Sequence, residues 1–202
     1  MRITRRAAAL GGAGALAYAA NGGFARAGWG DLFAGLGESL DDLWIATDAY
    51  IYGYPLVTTE MTRRVGSNVV APTERRAPMG QFVKMRQYPD PLFRDVTTPN
   101  ADTLYVSAFL DLAKEPWILG FPDMGDRYFL FPMLDAWTNV FQSPGTRTTG
   151  TAPQTCAIAG PGWKGSLPAG VVEYRSPTSL AWIIGRIYCT GSPEDYAAVH
   201  AL

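Results

Sequence analysis

Thr103-Leu104-Tyr105-Val106-Ser107-Ala108-Phe109-Leu110-Asp111-Leu112 is the stretch on which the fold turns. Successive side chains of an extended chain point to opposite faces. Leu104, Val106, Ala108, Leu110 and Leu112 therefore share one face, and Thr103, Tyr105, Ser107, Phe109 and Asp111 the other. This period of two predicts a strand with a greasy face on a core and a mixed face opposite. Further strands are predicted at Trp117 to Phe121, Arg127 to Leu134, Thr138 to Gln142, Thr155 to Ala159, Val171 to Arg175 and Ala181 to Thr190. Turn-forming residues separate them, among them Pro144-Gly145, Pro161-Gly162 and Ser176-Pro177, and Pro132 marks an edge position or a bulge. Short strands at this spacing, several with apolar residues on both faces, predict an antiparallel β-sandwich rather than βαβ units.

Upstream the pattern changes. Ser39-Leu40-Asp41-Asp42 resembles a capping box, and Leu43, Ala46, Tyr50 and Tyr54 recur at helical spacing to form one apolar face. The tyrosines read most simply as core residues with phenols reaching polar partners. Pro55 cannot donate to the carbonyl of Ile51, which predicts a kink or break, a shorter helix from Leu56 to Arg64, and an end at Gly66. From Ser67 to Pro99 prolines interrupt any period, leaving only Gln81 to Arg86 as a short strand. Such a long irregular connection is either a functional loop or an excursion wrapped over a sheet. With one helical region before the strands, the class is mainly β, α+β.

The two ends carry different signals. Thr4-Arg5-Arg6, the uncharged run Ala7 to Ala20 and the small-x-small site Ala25-Arg26-Ala27 read as a removable signal peptide over residues 1–27. The paired arginines resemble the twin-arginine route, although Ala8-Ala9 stand where Phe-Leu is usual. The run is too short and too weakly apolar for a transmembrane anchor. This predicts an exported protein of the bacterial periplasm or cell envelope, with its main domain over residues 28–190. At the other end Ser192-Pro193-Glu194-Asp195 opens a helix over residues 191–202 that is expected to lead into a C-terminal domain absent from this chain.

Composition excludes some functions. Without Arg2, Arg5, Arg6 and Arg26 the basic residues fall from 17 to 13 against 18 acidic ones, and the net charge from -1 to -5. Only the pairs Arg63-Arg64 and Arg75-Arg76 remain, too few for the basic stripe of a nucleic-acid binder. Cys156 and Cys189 lie on predicted strands and form a disulfide only if those strands are neighbours; otherwise they are buried free thiols. Neither has a partner at metal-ligand spacing, and the single histidine, His200, supports neither a nucleophile triad nor a histidine metal centre.

Oxygen chemistry is what remains. Asn100, Asp102, Thr103 and Tyr105 crowd the start of the clearest strand, Asp135 and Asn139 lie near the end of another, and Arg147 sits in a Gly-bounded loop. If they converge, Asp102 and Asp135 can act as acid and base on a glycosidic bond, or carboxylate and amide oxygens can hold Ca²⁺. The alternative is structural: Pro99-Asn100-Ala101-Asp102-Thr103 has the composition of an Asx turn, and Arg147 can pair with a nearby carboxylate.

Several ordered blocks resemble the bacterial domain-of-unknown-function family numbered 1254. They are Ala49-Tyr50-Ile51-Tyr52-Gly53-Tyr54-Pro55-Leu56, Pro89-Asp90-Pro91, Phe93-Arg94-Asp95-Val96, Pro99-Asn100-Ala101-Asp102-Thr103-Leu104-Tyr105, Pro132-Met133-Leu134-Asp135-Ala136-Trp137-Thr138, Ser143-Pro144-Gly145-Thr146-Arg147, Gly160-Pro161-Gly162-Trp163-Lys164-Gly165 and Asp195-Tyr196. The resemblance spans Leu43 to Leu202. It implies an immunoglobulin-like sandwich behind a helical segment, usually followed by a jelly-roll domain that this chain lacks. It carries no reaction onto particular residues. The expected function is an envelope domain that binds or supports a small polar or carbohydrate-like ligand together with a second domain. The alternatives are a hydrolase or lyase with carboxylates at that domain interface, and a ligand-free scaffold or homo-oligomerisation module.

Overall fold

The alternating stretch forms β2 (Thr103–Asp111), and its long partner is β9 (Leu180–Tyr188). They run antiparallel in unbroken register, from Thr103 opposite Tyr188 to Asp111 opposite Leu180. In a computed structural model describing residues 29–94 and 98–202, this ribbon is the spine of the larger sheet. The short β1 (Val83–Lys84) flanks β2, while β4 (Phe129–Leu130) and β5 (Met133–Leu134) pair with β9 and β6 (Val140–Gln142) continues beyond β5. The smaller sheet is ordered β3 (Trp117–Phe121), β7 (Gln154–Ala159), β8 (Val172–Arg175). Among the described residues there are two helices, α1 (Trp29–Ser67) and α2 (Pro193–His200), and the fold is mainly β, α+β.

Two strand expectations need correction. The sheets are not wholly antiparallel: β7 and β8 run parallel. Parallel neighbours need a crossover of about a dozen residues, which the Gly/Pro-rich run from Gly160 to Val171 supplies. The predicted strand Arg127 to Leu134 is split into β4 and β5 around Pro132, which has no N–H for a ladder but whose carbonyl accepts from Ile184 N at 3.0 Å.

Both sheets feed one hydrophobic cluster, with Leu104, Phe129, Met133 and Ile183 from the larger sheet and Phe121, Cys156 and Ile158 from the smaller. Phe129, Met133 and Ile158 are fully buried. Phe121 meets the Phe131 ring edge-on at 5.1 Å, and Phe131 lies directly over Gly185 of β9, where a Cβ would come within 2.5 Å of the ring. Glycine is what lets that ring approach the strand.

Chain contacts divide residues into Met1–Gly53 and Tyr54–Leu202. α1 already runs through Ser39, and the break predicted at Pro55 does not occur. Ile51, whose carbonyl has no N–H to bond at Pro55, is 63% exposed, so water can take up that acceptor and the helix continues. The predicted apolar face is present, but Leu43, Tyr50 and Tyr54 are exposed, so the tyrosines are not core residues. Periodicity reports which residues share a face, not whether the face is covered. Among the described residues no helix is long and apolar enough to cross a membrane.

α2 opens as the sequence predicts, Ser192 Oγ accepting from Asp195 N at 3.2 Å with Pro193 in the first turn. Its docked face is within this chain: Val199 joins the core cluster, Tyr196 meets Tyr88 edge-on at 5.4 Å, and Asp195 pairs with Arg127 at 2.5 Å.

Candidate ligand-binding site

The second face of the β2–β9 ribbon is not simply solvent-facing. The register sets Tyr105 opposite Arg186, Ser107 opposite Ile184 and Phe109 opposite Trp182, and alternation puts all of them on the face away from the core. β1 extends this floor, with Val83 opposite Ser107, and Gly80 N and Met85 N bond to the carbonyls of Phe109 and Tyr105 at 2.8 and 2.9 Å. The end of α1, at Thr62 and Gly66, and the irregular connection, at Arg75, Phe93, Thr98 and Pro99, wall the space above it. Together they enclose a cavity of about 490 Å³, within the range of small-molecule sites. The long loop is thus both things the sequence allowed, an excursion over a sheet and one wall of a cavity.

Several side chains of the lining are held by their neighbours. Trp182 stacks on Phe109 at 5.0 Å and donates Nε1–H to Ser107 Oγ at 2.9 Å. Arg75 lies over the Phe93 ring at 5.1 Å, and Phe93 is set by an Asx turn in which Asp90 Oδ1 accepts from Leu92 N at 2.8 Å. The Arg186 guanidinium lies over the Tyr105 ring at 5.3 Å, and its buried Nε–H has no hydrogen-bond acceptor. Since that Nε is sealed from solvent, the terminal amino groups are what Arg186 offers to the cavity. Thr98 takes φ 51, in the left-handed region, which is costly for a β-branched residue and recurs at binding sites.

The predicted residues fall into two groups. Tyr105 lines the cavity, and Asn100 adjoins it: Asn100 N donates to the Tyr105 hydroxyl at 3.4 Å and Asn100 Oδ1 accepts from the buried Thr103 at 2.9 Å. The others lie elsewhere. Asp135 is buried in a turn, accepting from Trp137 N, Asn139 N and Asn139 Nδ2 at 2.8, 2.9 and 3.2 Å, and Arg147 lies over Tyr128 at 5.5 Å. Asp102 is exposed at the far end of β9, where its carbonyl accepts from Cys189 N at 2.9 Å, whereas Asp135 follows Leu134, the partner of Trp182. At ~3.3 Å per residue along β9 the two carboxylates stand roughly 20 Å apart, beyond the separation of about 5–9.5 Å that glycoside hydrolysis uses. Among the described residues no three His, Cys, Asp or Glu side chains come together. Cys156 and Cys189 are both free and buried, so the bridge does not form, and burial pushes the Cys156 thiol up to about 11.

Arg186, Trp182, Phe109, Ser107, Arg75 and Phe93 were missed. The signal was the alternation in Ala181 to Thr190, where Trp182, Ile184 and Arg186 share a face; only the register shows that this face meets Tyr105, Ser107 and Phe109.

A family model described as "Protein of unknown function (DUF1254)" matches residues 79–202, more than half of the chain. The chain belongs to the DUF1254 family. The DUF1254 match runs from just before β1 to the end of α2 and so includes the whole β2–β9 floor of the cavity. The crystal structure of the VPA0106 protein from Vibrio parahaemolyticus is similar, with a TM-score of 0.57 and 29% identity, covering 76% of this DUF1254 chain and 34% of that chain. This chain therefore spans about a third of that protein's length. No curated protein matches it.

Proposed function

We propose that this chain is an exported envelope domain that binds a small polar ligand in the cavity on the outer face of its larger sheet. The observation that carries the reading is the Arg186 guanidinium, stacked on the Tyr105 ring and lining a cavity of about 490 Å³. A cation folded against an aromatic face beneath a loop offers its terminal N–H groups to a polar ligand. The strained Thr98 on the same cavity supports it. The proposal takes the two sheets as an immunoglobulin-like pair, on the grounds of their shared core, with the parallel β7–β8 pair as a departure. Because the matched region is 34% of the Vibrio chain, the reading includes a second domain working beside this one.

Ligand-observed NMR with a small-molecule set of mixed charge tests the binding claim. Binders should compete for one site and be lost from Val83→Trp, whose enlarged side chain fills the cavity from β1. Binders that this variant retains in full would contradict it. The export claim rests on residues 1–27, which lie outside the described residues; an export reporter fused behind residues 1–28 that stays in the cytosol would end it.

A further inference from the structure

We propose that the ligand is an aryl monocarboxylate, its carboxylate seated on the terminal amino groups of Arg186 and its ring lying along Ile184 toward Trp182. This rests on the reading of the cavity as a ligand site and narrows it to one chemical class.

The acceptor class follows from how Arg186 is held. Its guanidinium face lies on the Tyr105 ring at 5.3 Å, which leaves the edge as the part able to meet a ligand. The Nε–H is sealed from solvent, so the terminal amino groups are the part of that edge a ligand reaches. A guanidinium edge presents two parallel N–H donors, and the planar group that accepts both at once is a carboxylate. Phosphate monoesters would offer the same fork. The cavity wall, however, carries Glu74 beside Arg75, so their charges offset and the lining's net charge is the single one of Arg186, which a monoanion balances and a dianion exceeds.

The body of the ligand follows from the strand. Arg186, Ile184 and Trp182 stand in line on one face of β9, and same-face neighbours are roughly 6.6–7 Å apart. A carboxylate on Arg186 therefore places a ring joined through a short spacer over Ile184, with Trp182 at its far end. Trp182 cannot rotate freely, since it is stacked on Phe109 and bonded to Ser107 Oγ. It is a fixed flat wall suited to a planar partner. Val83, Met85 and Ile184 line the same space and offer no side-chain hydrogen bonds.

Matched acids and primary amides test this on the full chain: benzoate and benzamide, 3-phenylpropanoate and 3-phenylpropanamide, indole-3-carboxylate and indole-3-carboxamide. Each pair differs in charge but hardly in shape. Titration calorimetry at pH 7 should show the acids binding roughly tenfold or more tightly than their amides, with 3-phenylpropanoate preferred to benzoate. Arg186→Gln should erase the acid preference, and Arg186→Lys should restore part of it. Equal binding of acids and amides to the wild-type chain would overturn the carboxylate assignment while leaving the cavity a binding site. Binding that Val83→Trp retains would overturn the site itself, as would no binding of any pair. The wild-type comparison stands even if an Arg186 variant does not fold.

Discussion

Arg186 and Tyr105 are direct cross-strand partners in the β2–β9 ladder, and the guanidinium lies 5.3 Å above the tyrosine ring. The contact orients a cation inside a sheet-floored cavity by stacking rather than by pairing with an acid. Tyr105→Leu removes that platform while keeping an apolar side chain. A cation–π contact of this partly desolvated kind contributes about 0.5–2 kcal/mol, so the variant should lose that much stability in denaturant titration and bind 3-phenylpropanoate several-fold more weakly. Tyr105→Phe, which keeps the ring and loses only the 3.4 Å bond from Asn100 N, should stay close to wild type. If Tyr105→Leu left both quantities unchanged, the ring would not be what positions Arg186.

Gly185 faces the core beneath the Phe131 ring. Gly185→Ala puts a Cβ within 2.5 Å of that ring, and Phe131 is also fixed by Phe121 and Phe129 at 5.1 and 6.2 Å. Overpacking of this sort costs roughly 1–3 kcal/mol. Phe131→Leu in the same chain should recover part of the loss. A double variant whose losses simply add would show that the ring contact is not the cause.

Asp195 ties α2 to the sheet through Arg127 at 2.5 Å and accepts from Thr190 N at 2.6 Å. The arginine, and then the backbone N–H, hold its carboxyl well below the usual carboxylate range. A carboxyl depressed on folding stabilises the protein above its unfolded value, near ~4, and that contribution is lost as the pH falls toward the folded value. Asp195→Asn should therefore cost roughly 1–3 kcal/mol at pH 7, with the gap to wild type closing only below about pH 4. A gap that instead widened in acid would reverse the sign of this linkage.

Cys156 is buried, with its thiol pushed up to about 11, and Cys189 is 1% exposed. The thiolate is the reacting form, so neither should react with a disulfide reagent at pH 7.5 until the chain unfolds. Reaction at the unfolding rate is the expected trace; rapid labelling of native protein would show that one of the two sites is open.

The strands were legible because their signal is local. Thr103 to Leu112 alternates cleanly, and Trp117 to Phe121 became β3 with those same ends. The cavity was less legible because its floor pairs residues more than seventy positions apart, Tyr105 with Arg186 and Phe109 with Trp182. No local pattern sets that register, so nothing in the sequence around Trp182 or Arg186 marks them as neighbours of Phe109 and Tyr105. Asp135 misled for the opposite reason: carboxylate beside amide is the composition of a site and equally of a turn, and here Asp135 caps the turn through Asn139. On α1, the helical spacing of Leu43, Tyr50 and Tyr54 is real, yet all three are exposed, since amphipathicity does not reveal whether anything covers the face.

A crystal structure of the full chain soaked with 3-phenylpropanoate tests the cavity most directly. The result foreseen is density for one molecule on the β2–β9 floor, its two carboxylate oxygens on the terminal amino groups of Arg186 and its ring between Ile184 and Trp182. A cavity left empty at saturating probe, or a molecule bound with its carboxylate away from Arg186, would contradict it.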